Sequence, residues 1–421
     1  MAALLQWAQH LLRPPSPRRR YQCGSARSIG KDLTVEEETL PTYEPEEFYP
    51  VHIGDIFHQK YQVLGKLGFG ANSTIWLCRD LHGHRYVALK LYIRTPHTYT
   101  QVNRELGAYQ HLGSIRSSHV GRQSIREVLD SFEVVRPDGT HHHCLIHPPL
   151  HMTLRDLQCL GQKPTGLPED MVRGALRHLF QALDFLHTEA NITHCDIKAA
   201  NIMLTIEDES MLADYEQAER ENPCPRKVVD NNRTIYASRD FRRPRDHAWG
   251  HPVLCDFGEA RIGSSHQHEE IQPEIYKAPE IILETGWSYS VDIWNTGCMI
   301  WDLFENKPLF DARDGDGEHS HRFHIAEMVA YLGTPPIEFQ QLSERTPLVF
   351  DEAGSWKGDP ELPQLSLEHA EEKLEGAKKV AFLNFMRSML TWLPEERKTA
   401  TELLKDPWLT GRVSGQQNDI T

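Results

Sequence analysis

Three stretches of this chain carry side chains whose types and spacing suit one reaction. The first is His194-Cys195-Asp196-Ile197-Lys198-Ala199-Ala200-Asn201. It suits phosphoryl transfer: Asp196 accepts or orients the proton of an attacking hydroxyl, Lys198 neutralises the moving phosphoryl group, and Asn201 offers an oxygen to magnesium. The second is Val253-Leu254-Cys255-Asp256-Phe257-Gly258, an apolar strand that delivers Asp256 as a further magnesium ligand. The third joins Leu67-Gly68-Phe69-Gly70-Ala71-Asn72-Ser73-Thr74-Ile75 to Val87-Ala88-Leu89-Lys90. Glycines in a turn between strands let backbone amides approach phosphates closely. Lys90 can then pair with the α- and β-phosphates if a carboxylate holds it, and Glu105 is the sole acid between Lys90 and Glu127. Each feature also has a plainer reading: a structural hairpin, a solvated strand lysine, an exposed helix glutamate. The ordered set is far more specific than any member.

That order resembles the eukaryotic protein kinases. His194 to Asn201 matches H-R-D-x-K-x-x-N except at Cys195, and the lysine two residues after the aspartate is the serine/threonine pattern. Downstream lie Ala278-Pro279-Glu280, Asp292-Ile293-Trp294-Asn295-Thr296-Gly297 and Pro394-Glu395-Glu396-Arg397, which resemble the family's architectural motifs. The resemblance spans Tyr61 to Leu409 and implies that Glu280 pairs with Arg397 and that Asp292 holds the catalytic-loop backbone. The glycine-rich segment, the long insertion before Asp256 and the stretch Asp311 to Gly333 look like the SR-protein kinases, nearest to their fungal relatives. The fold implied is α+β and bilobal, with a β-rich N-lobe carrying one main helix and a mostly helical C-lobe. The activity implied uses ATP and Mg2+ to phosphorylate serines, in this family within Arg/Ser-rich, splicing-type proteins. The nucleotide would meet Leu67, Gly68, Phe69, Gly70, Ala71, Asn72, Ser73, Ile75, Ala88 and Lys90. A pseudokinase scaffold for basic proteins is the alternative, and the presence of Lys90, Asp196 and Asp256 argues against it.

Departures from the pattern carry information. Ser73 stands where the third glycine is usual, and Cys195 where an arginine usually pairs with a phosphorylated residue. The segment Asp256 to Glu280 has no threonine and only Ser264 and Ser265. Activity without activation-segment phosphorylation is therefore expected. The adenine hinge falls near Ile146-His147-Pro148-Pro149-Leu150. With His147 as gatekeeper, Pro148 gives its carbonyl and Leu150 its amide. With Ile146 as gatekeeper, Pro149 would have to supply a proton it lacks. The first register is adopted. The acids Asp311, Asp314, Asp316 and Glu318 form either a docking loop for basic substrates or a solvated acidic loop.

These side chains need elements to hold them. Tyr61 to Leu67, Thr74 to Arg79, Tyr86 to Ile93, Phe132 to Val135 and Cys144 to His147 read as strands, being rich in β-branched and aromatic residues. Gln101 to Leu112, Met171 to Thr188, Val291 to Glu305 and Ala377 to Leu390 read as helices. His141-His142-His143 after Pro137-Asp138-Gly139 reads as a hairpin with polar histidines rather than a metal site. The expected organisation is a disordered or targeting segment over 1–34, an extended lead-in over 35–60, an N-lobe over 61–150, a C-lobe over 151–409 and a tail over 410–421. Thr205 to Gly250 lacks clear periodicity and reads as a long loop or insertion in the C-lobe. Met1 to Leu12 can form an amphipathic helix, and the first 30 residues hold five arginines and no acid. Mitochondrial import is thus a possibility beside cytoplasm or nucleus.

Bulk properties narrow the class. The 421 residues are 39% hydrophobic and 25% charged, an ordinary globular composition. A net charge of -15 disfavours nucleic acid and favours basic partners. No apolar run is long enough for a membrane span. Eight cysteines without a CxxC pair point to reduced thiols. A monomer acting on protein substrates is expected.

Overall fold

The computed structural model describes residues 14–19, 26–267 and 269–412, without the side chain of His247. The chain divides into two compact units. The first comprises 1–103, 126–151 and 205–250, the second 104–125, 152–204 and 251–421.

The first unit is built on a six-stranded antiparallel sheet. Its strands are β1 Ile56–Phe57, β2 Tyr61–Gly70, β3 Ser73–Asp80, β4 Arg85–Tyr92, β5 Asp130–Val135 and β6 His141–His147, in the order β1-β2-β3-β4-β6-β5. Alternation along β3 explains the packing. Trp76 and Cys78 face one apolar cluster with Val63, Val87, Leu89, Leu91, Cys144 and Ile146, whereas Leu77 faces another. A strand buried on both faces needs a second covering layer. Residues 205–250 supply it: Met211, Leu212, Tyr215 and Phe241 pack with Leu64 and Leu77.

The segment 205–250, read as a long loop or insertion in the C-lobe, is an insertion with elements of its own and clusters with the first unit. It folds as a helix, Ser210–Glu221, and a small hairpin, Arg226–Val228 with Thr234–Tyr236, on the β-rich unit. Tyr236 meets Trp76 edge to face at 5.8 Å. The Tyr215 hydroxyl donates to Lys66 O at 2.9 Å, and this close approach is why Gly65 is glycine: a Cβ there would lie 2.6 Å from that hydroxyl. Glu216 accepts from Arg79 and, at 2.6 Å, from the Tyr86 hydroxyl. Of the two readings of 1–34, disordered or targeting segment, disorder does not hold where residues are described. Ser16 N donates to Leu81 O at 2.7 Å, Arg19 exchanges bonds with Gln62, and Ile29 N donates to Arg226 O at 2.8 Å. The lead-in holds two short 3-10 turns, Glu36–Thr39 and Pro45–Glu47, rather than extended chain alone. Its Glu36 and Glu37 pair with the buried Lys66. The expected Met1 to Leu12 helix lies outside the described residues.

The hairpin β5–β6 turns at the predicted Pro137-Asp138-Gly139, with Val135 opposite His141. Its histidines are not all surface groups: His142 is buried and reaches Tyr92 O at 3.0 Å.

The second unit is mainly helical, as expected. Ser290–Glu305 is its central helix, buried along nearly its whole length. Glu169–Phe185 begins at Pro168 with Glu169 and Asp170 favouring its positive N-terminal end. Gly376–Arg387 sets Phe382 and Phe385 against Trp408 at 5.1 and 4.8 Å. The helix Pro96–Ser114 is longer than its pattern suggested, and the boundary between the units falls within it, after Asn103. No helix among the described residues is long and apolar enough to cross a membrane.

Candidate active site

Helix Glu169–Phe185 runs into a π-turn, Leu186–Ala190, that ends at Asn191 in the left-handed region. A π-turn re-aims side chains, and such turns recur at functional sites. Here it presents His187 to Asp292 at 2.9 Å. Asp292, in the first turn of the central helix, is fully buried. Its two oxygens accept from the backbone amides of His194 and Cys195, each at 2.8 Å. Cys195 sits at φ 68, a conformation costly for a side chain-bearing residue. The buried carboxylate holds it there through two charge-assisted bonds. The expected role of Asp292 is thus met.

The loop so fixed places Asp196. Its Oδ2 accepts from Lys198 Nζ at 2.8 Å and from Asn201 Nδ2 at 2.8 Å; Asn201 Nδ2 also donates to Asp196 O at 2.9 Å. The three residues predicted from spacing therefore meet at hydrogen-bond distance. Burial raises the Asp196 pKa, Lys198 opposes the rise, and the carboxylate of Asp256 adds to it. The carboxyl is a better proton acceptor than a solvated aspartate, which is the direction general base work requires.

Asp256 follows the strand Trp249–Leu254 and also adopts positive φ, 64°. Two bonds set it. Cys255 N donates to Asn201 O at 2.8 Å, and His194 Nε2 donates to Cys255 O at 3.0 Å, so His194 Nδ1 is the acceptor facing Asp196 N at 3.3 Å. Phe257 is buried against the rings of His194 and Tyr109 at 5.0 and 5.4 Å. Asn201 spends its Nδ2 on Asp196, so its Oδ1 is the acceptor atom of that amide. The amide oxygen of Asn201 and the carboxylate of Asp256 are hard oxygen donors, the chemistry that suits magnesium.

Glu280 and Arg397 form the expected interior pair, with Nη1 to Oε1 2.6 Å and Nη2 to Oε2 2.7 Å and both side chains fully buried. The guanidinium also lies 4.9 Å over the Trp294 ring. Such a two-pronged pair ties the Ala278-Pro279-Glu280 turn to the end of the unit.

In the first unit, the glycine-rich residues form the hairpin between β2 and β3, closing at Gly70 opposite Ser73 with Ala71 and Asn72 at the tip. Register shifts at Val63/Gly65 and Lys66/Gly68 leave Leu64 and Leu67 as the extra residues of β2. Asn72 gives both ends of its amide to the start of helix Pro96–Ser114: Nδ2 donates to Gln101 at 2.6 Å and Oδ1 accepts from Thr98 at 3.4 Å. Asn72 thus positions the turn. Lys90 lies on β4 between Ile75 and Leu145 and is buried, its Nζ 4.8 Å over the Tyr92 ring. Ala88 pairs with His147, the last residue of β6. His147 is fully buried, its Nδ1 at 2.8 Å from Glu127 O, and burial drives its pKa well down, so it is a neutral ring at the strand end. Pro148 and Leu150 follow it, and Leu150 is buried. Glu105 belongs to the second unit, where it is buried.

Sequence reasoning missed His187 and the ionic bracing of the segment before Glu280. Arg261 holds Glu269 and Glu259, and Lys277 holds Glu270 at 2.7 Å and Glu274 at 2.8 Å. A run of acids flanked by lone basic residues was the available signal.

The protein kinase domain family matches residues 61–245 and 247–409. A serine/threonine protein kinase of Aspergillus fumigatus is 46% identical over 396 residues, covering 94% of this chain and 96% of its own length. The serine/threonine-protein kinase SRPK of Physarum polycephalum is 27% identical, covering 89% and 91%. SRSF protein kinase 3 of Mus musculus is 23% identical, covering 90% and 92%.

Proposed function

The chain belongs to the protein kinase family and is a serine/threonine protein kinase; from that premise we propose that it phosphorylates serines in Arg/Ser-rich basic proteins, and does so without phosphorylation of its own activation segment. The observation that carries the catalytic reading is the meeting of Asp196, Lys198 and Asn201 on one carboxylate.

The chemistry follows from those contacts. Asp196 Oδ2 is engaged by Lys198 and Asn201, so Oδ1 faces the incoming serine hydroxyl. As the serine Oγ bonds to phosphorus, its proton passes to Asp196 and the bond to the leaving diphosphate oxygen breaks. Lys198 supplies positive charge beside the acceptor. Asn201 and Asp256 would hold magnesium, which when bound neutralises the phosphate oxygens. Lys90, Glu105 and the hairpin Leu67 to Ile75 are assigned to the phosphates, with Ala88, Pro148 and Leu150 at the adenine. The protein contributes mainly positioning and charge.

Two observations support the finer claims. The relatives' names include SR-protein kinases, and the chain carries a net charge of -15 with exposed Asp311, Asp316 and Glu318. Asp314 is instead engaged in its own loop, accepting from Asp316 N and Glu318 N. For independence from phosphorylation, Arg261 and Lys277 already have carboxylate partners within the segment, and Cys195 replaces the usual phosphate-binding arginine.

Transfer of radiolabelled phosphate to Arg-Ser, acidic and proline-directed peptides tests the reading. The Arg-Ser peptide should be preferred, charge reversal at Asp316 and Glu318 should raise its KM, and phosphatase treatment should leave the rate unchanged. Asp196→Ala should lower turnover at least ~100-fold. Near-normal turnover by that variant would defeat the catalytic assignment. Work in the cytoplasm or nucleus fits these substrates, and imaging a C-terminally tagged chain tests that location against mitochondrial import.

A further inference from the structure

We propose that Glu274, His319 and His321 form a binding site for a zinc-class divalent cation that ties the turn before Ala278-Pro279-Glu280 to the loop preceding helix His321–Leu332. The magnesium residues take no part in it.

The donors come from two separate stretches. Glu274 opens the short 3-10 turn Glu274–Tyr276, and His321 is the first residue of its helix. His319 is fixed by the bridge to Arg313, next to the bond from Ser320 N to Ala312 O. One ligand atom from each of the three lies within 4.8 Å of the others. His319 Nδ1 is 3.2 Å and His321 Nε2 is 3.8 Å from the same oxygen, Glu274 Oε2. A tetrahedral ion with bonds of ~2.0–2.1 Å separates its ligands by about 3.3 Å, so small side-chain shifts suffice. Two imidazoles and one carboxylate leave a fourth position open, a set that suits zinc over magnesium or calcium.

The neighbours fit a ligand role. The carboxylate is divided: Oε1 takes Lys277 at 2.8 Å while Oε2 faces the histidines. Lys277 Nζ also lies 3.5 Å from His321 Nε2. An ammonium can only donate, so that nitrogen carries a lone pair, which a cation takes over while Lys277 keeps Glu270 and Glu274 Oε1. A simple ion pair of protonated histidines with Glu274 accounts for His319 but not for this arrangement. An imidazole bound through Nδ1 carries its proton on Nε2. His319 Nε2 is buried, and among the described residues it has no partner. His324, with both ring nitrogens buried and likewise unpartnered, stands edge-on to His319 at 5.7 Å. The cation can enter, because Glu274 and His321 are about half exposed.

Titration of the full chain with cobalt(II) and then zinc, without nucleotide or magnesium, tests the site. The wild type should bind one saturable equivalent, with the visible cobalt band of a low-symmetry N,N,O site. Glu274→Gln, which keeps the size of the side chain, should weaken binding at least ~10-fold, the lower range for disturbing a metal-bound residue. His319→Ala/His321→Ala should abolish it, and Asp256→Asn should leave it intact. Thermal unfolding in chelator checks that each variant is folded. Absence of a saturable equivalent, an unchanged isotherm in Glu274→Gln, or loss of the equivalent in Asp256→Asn overturns the proposal.

Discussion

Replacing Asp292 by asparagine removes one charge and almost no volume from the centre of the catalytic unit. The aspartate accepts from two backbone amides at 2.8 Å and from His187 at 2.9 Å, all out of water. Asparagine keeps one acceptor oxygen and turns an NH2 group toward the other amide. One buried N–H then loses its partner, at about 1–3 kcal/mol, and the surviving bond falls from charge-assisted to neutral, at about 1 kcal/mol more. The sum is about 2–4 kcal/mol. Part of it appears as lost stability. The rest appears as freedom at Cys195, whose φ of 68° the two bonds hold, and hence at Asp196 beside it. A displacement near 1 Å of a catalytic group costs about 100-fold in rate. We therefore expect Asp292→Asn to lower kcat by about 10- to 100-fold on a basic peptide, with KM for the peptide little changed. Urea unfolding gives the stability change and radiolabelled transfer the rate. The variant His187→Ala, which leaves both amides bonded, should keep most of the rate. Turnover within two-fold of wild type for Asp292→Asn, with unchanged stability, would refute the reasoning.

Three further predictions rest on separate contacts. Arg397→Ala strands the buried Glu280 carboxylate and should destabilise the chain by about 3–5 kcal/mol, read from denaturant midpoints. Burial pushes the Asp302 pKa up to about 7, against the hydrogen bond from Tyr276 and the charge of Arg155, so the folded protein holds a proton that the unfolded chain releases near pH 4. Stability at this group therefore falls as pH rises from 4 to 7; Asp302→Asn should match wild type near pH 4 and exceed it by up to about 4 kcal/mol above pH 7, and a constant difference across that range would refute the assignment. Gly65→Ala drives a methyl into Tyr215 and should cost about 1–3 kcal/mol, with Tyr215→Ala in the same chain relieving the clash in a double-mutant cycle.

Residue type and short spacing made much of the catalytic loop legible. Asp196, Lys198 and Asn201 lie within six residues of one another, so any backbone that turns tightly there brings them together. Strands β2, β3, β4 and β6 and the helix Ser290–Glu305 announced themselves by apolar and β-branched pattern within a few residues of their ends. Glu280 and Arg397 are 117 residues apart, and their pairing came from family resemblance rather than spacing.

What the pattern could not reveal was complementarity between distant surfaces. Residues 205–250 looked aperiodic because their few apolar groups, Met211, Leu212, Tyr215 and Phe241, are too sparse to mark an element and bury themselves only against Leu64 and Leu77. Ser16, Arg19 and Ile29 are ordered by partners more than 40 residues away, which composition cannot register. The same holds for His187 and for the Glu274, His319 and His321 cluster. A π-turn aims the first, and a loop folded back over the 256–280 segment gathers the others. Local sequence determined the chemistry and the elements that carry it, because covalent spacing alone brings those groups near. The tertiary structure decided which buried charge holds which strained turn, because that depends on surfaces meeting across the chain.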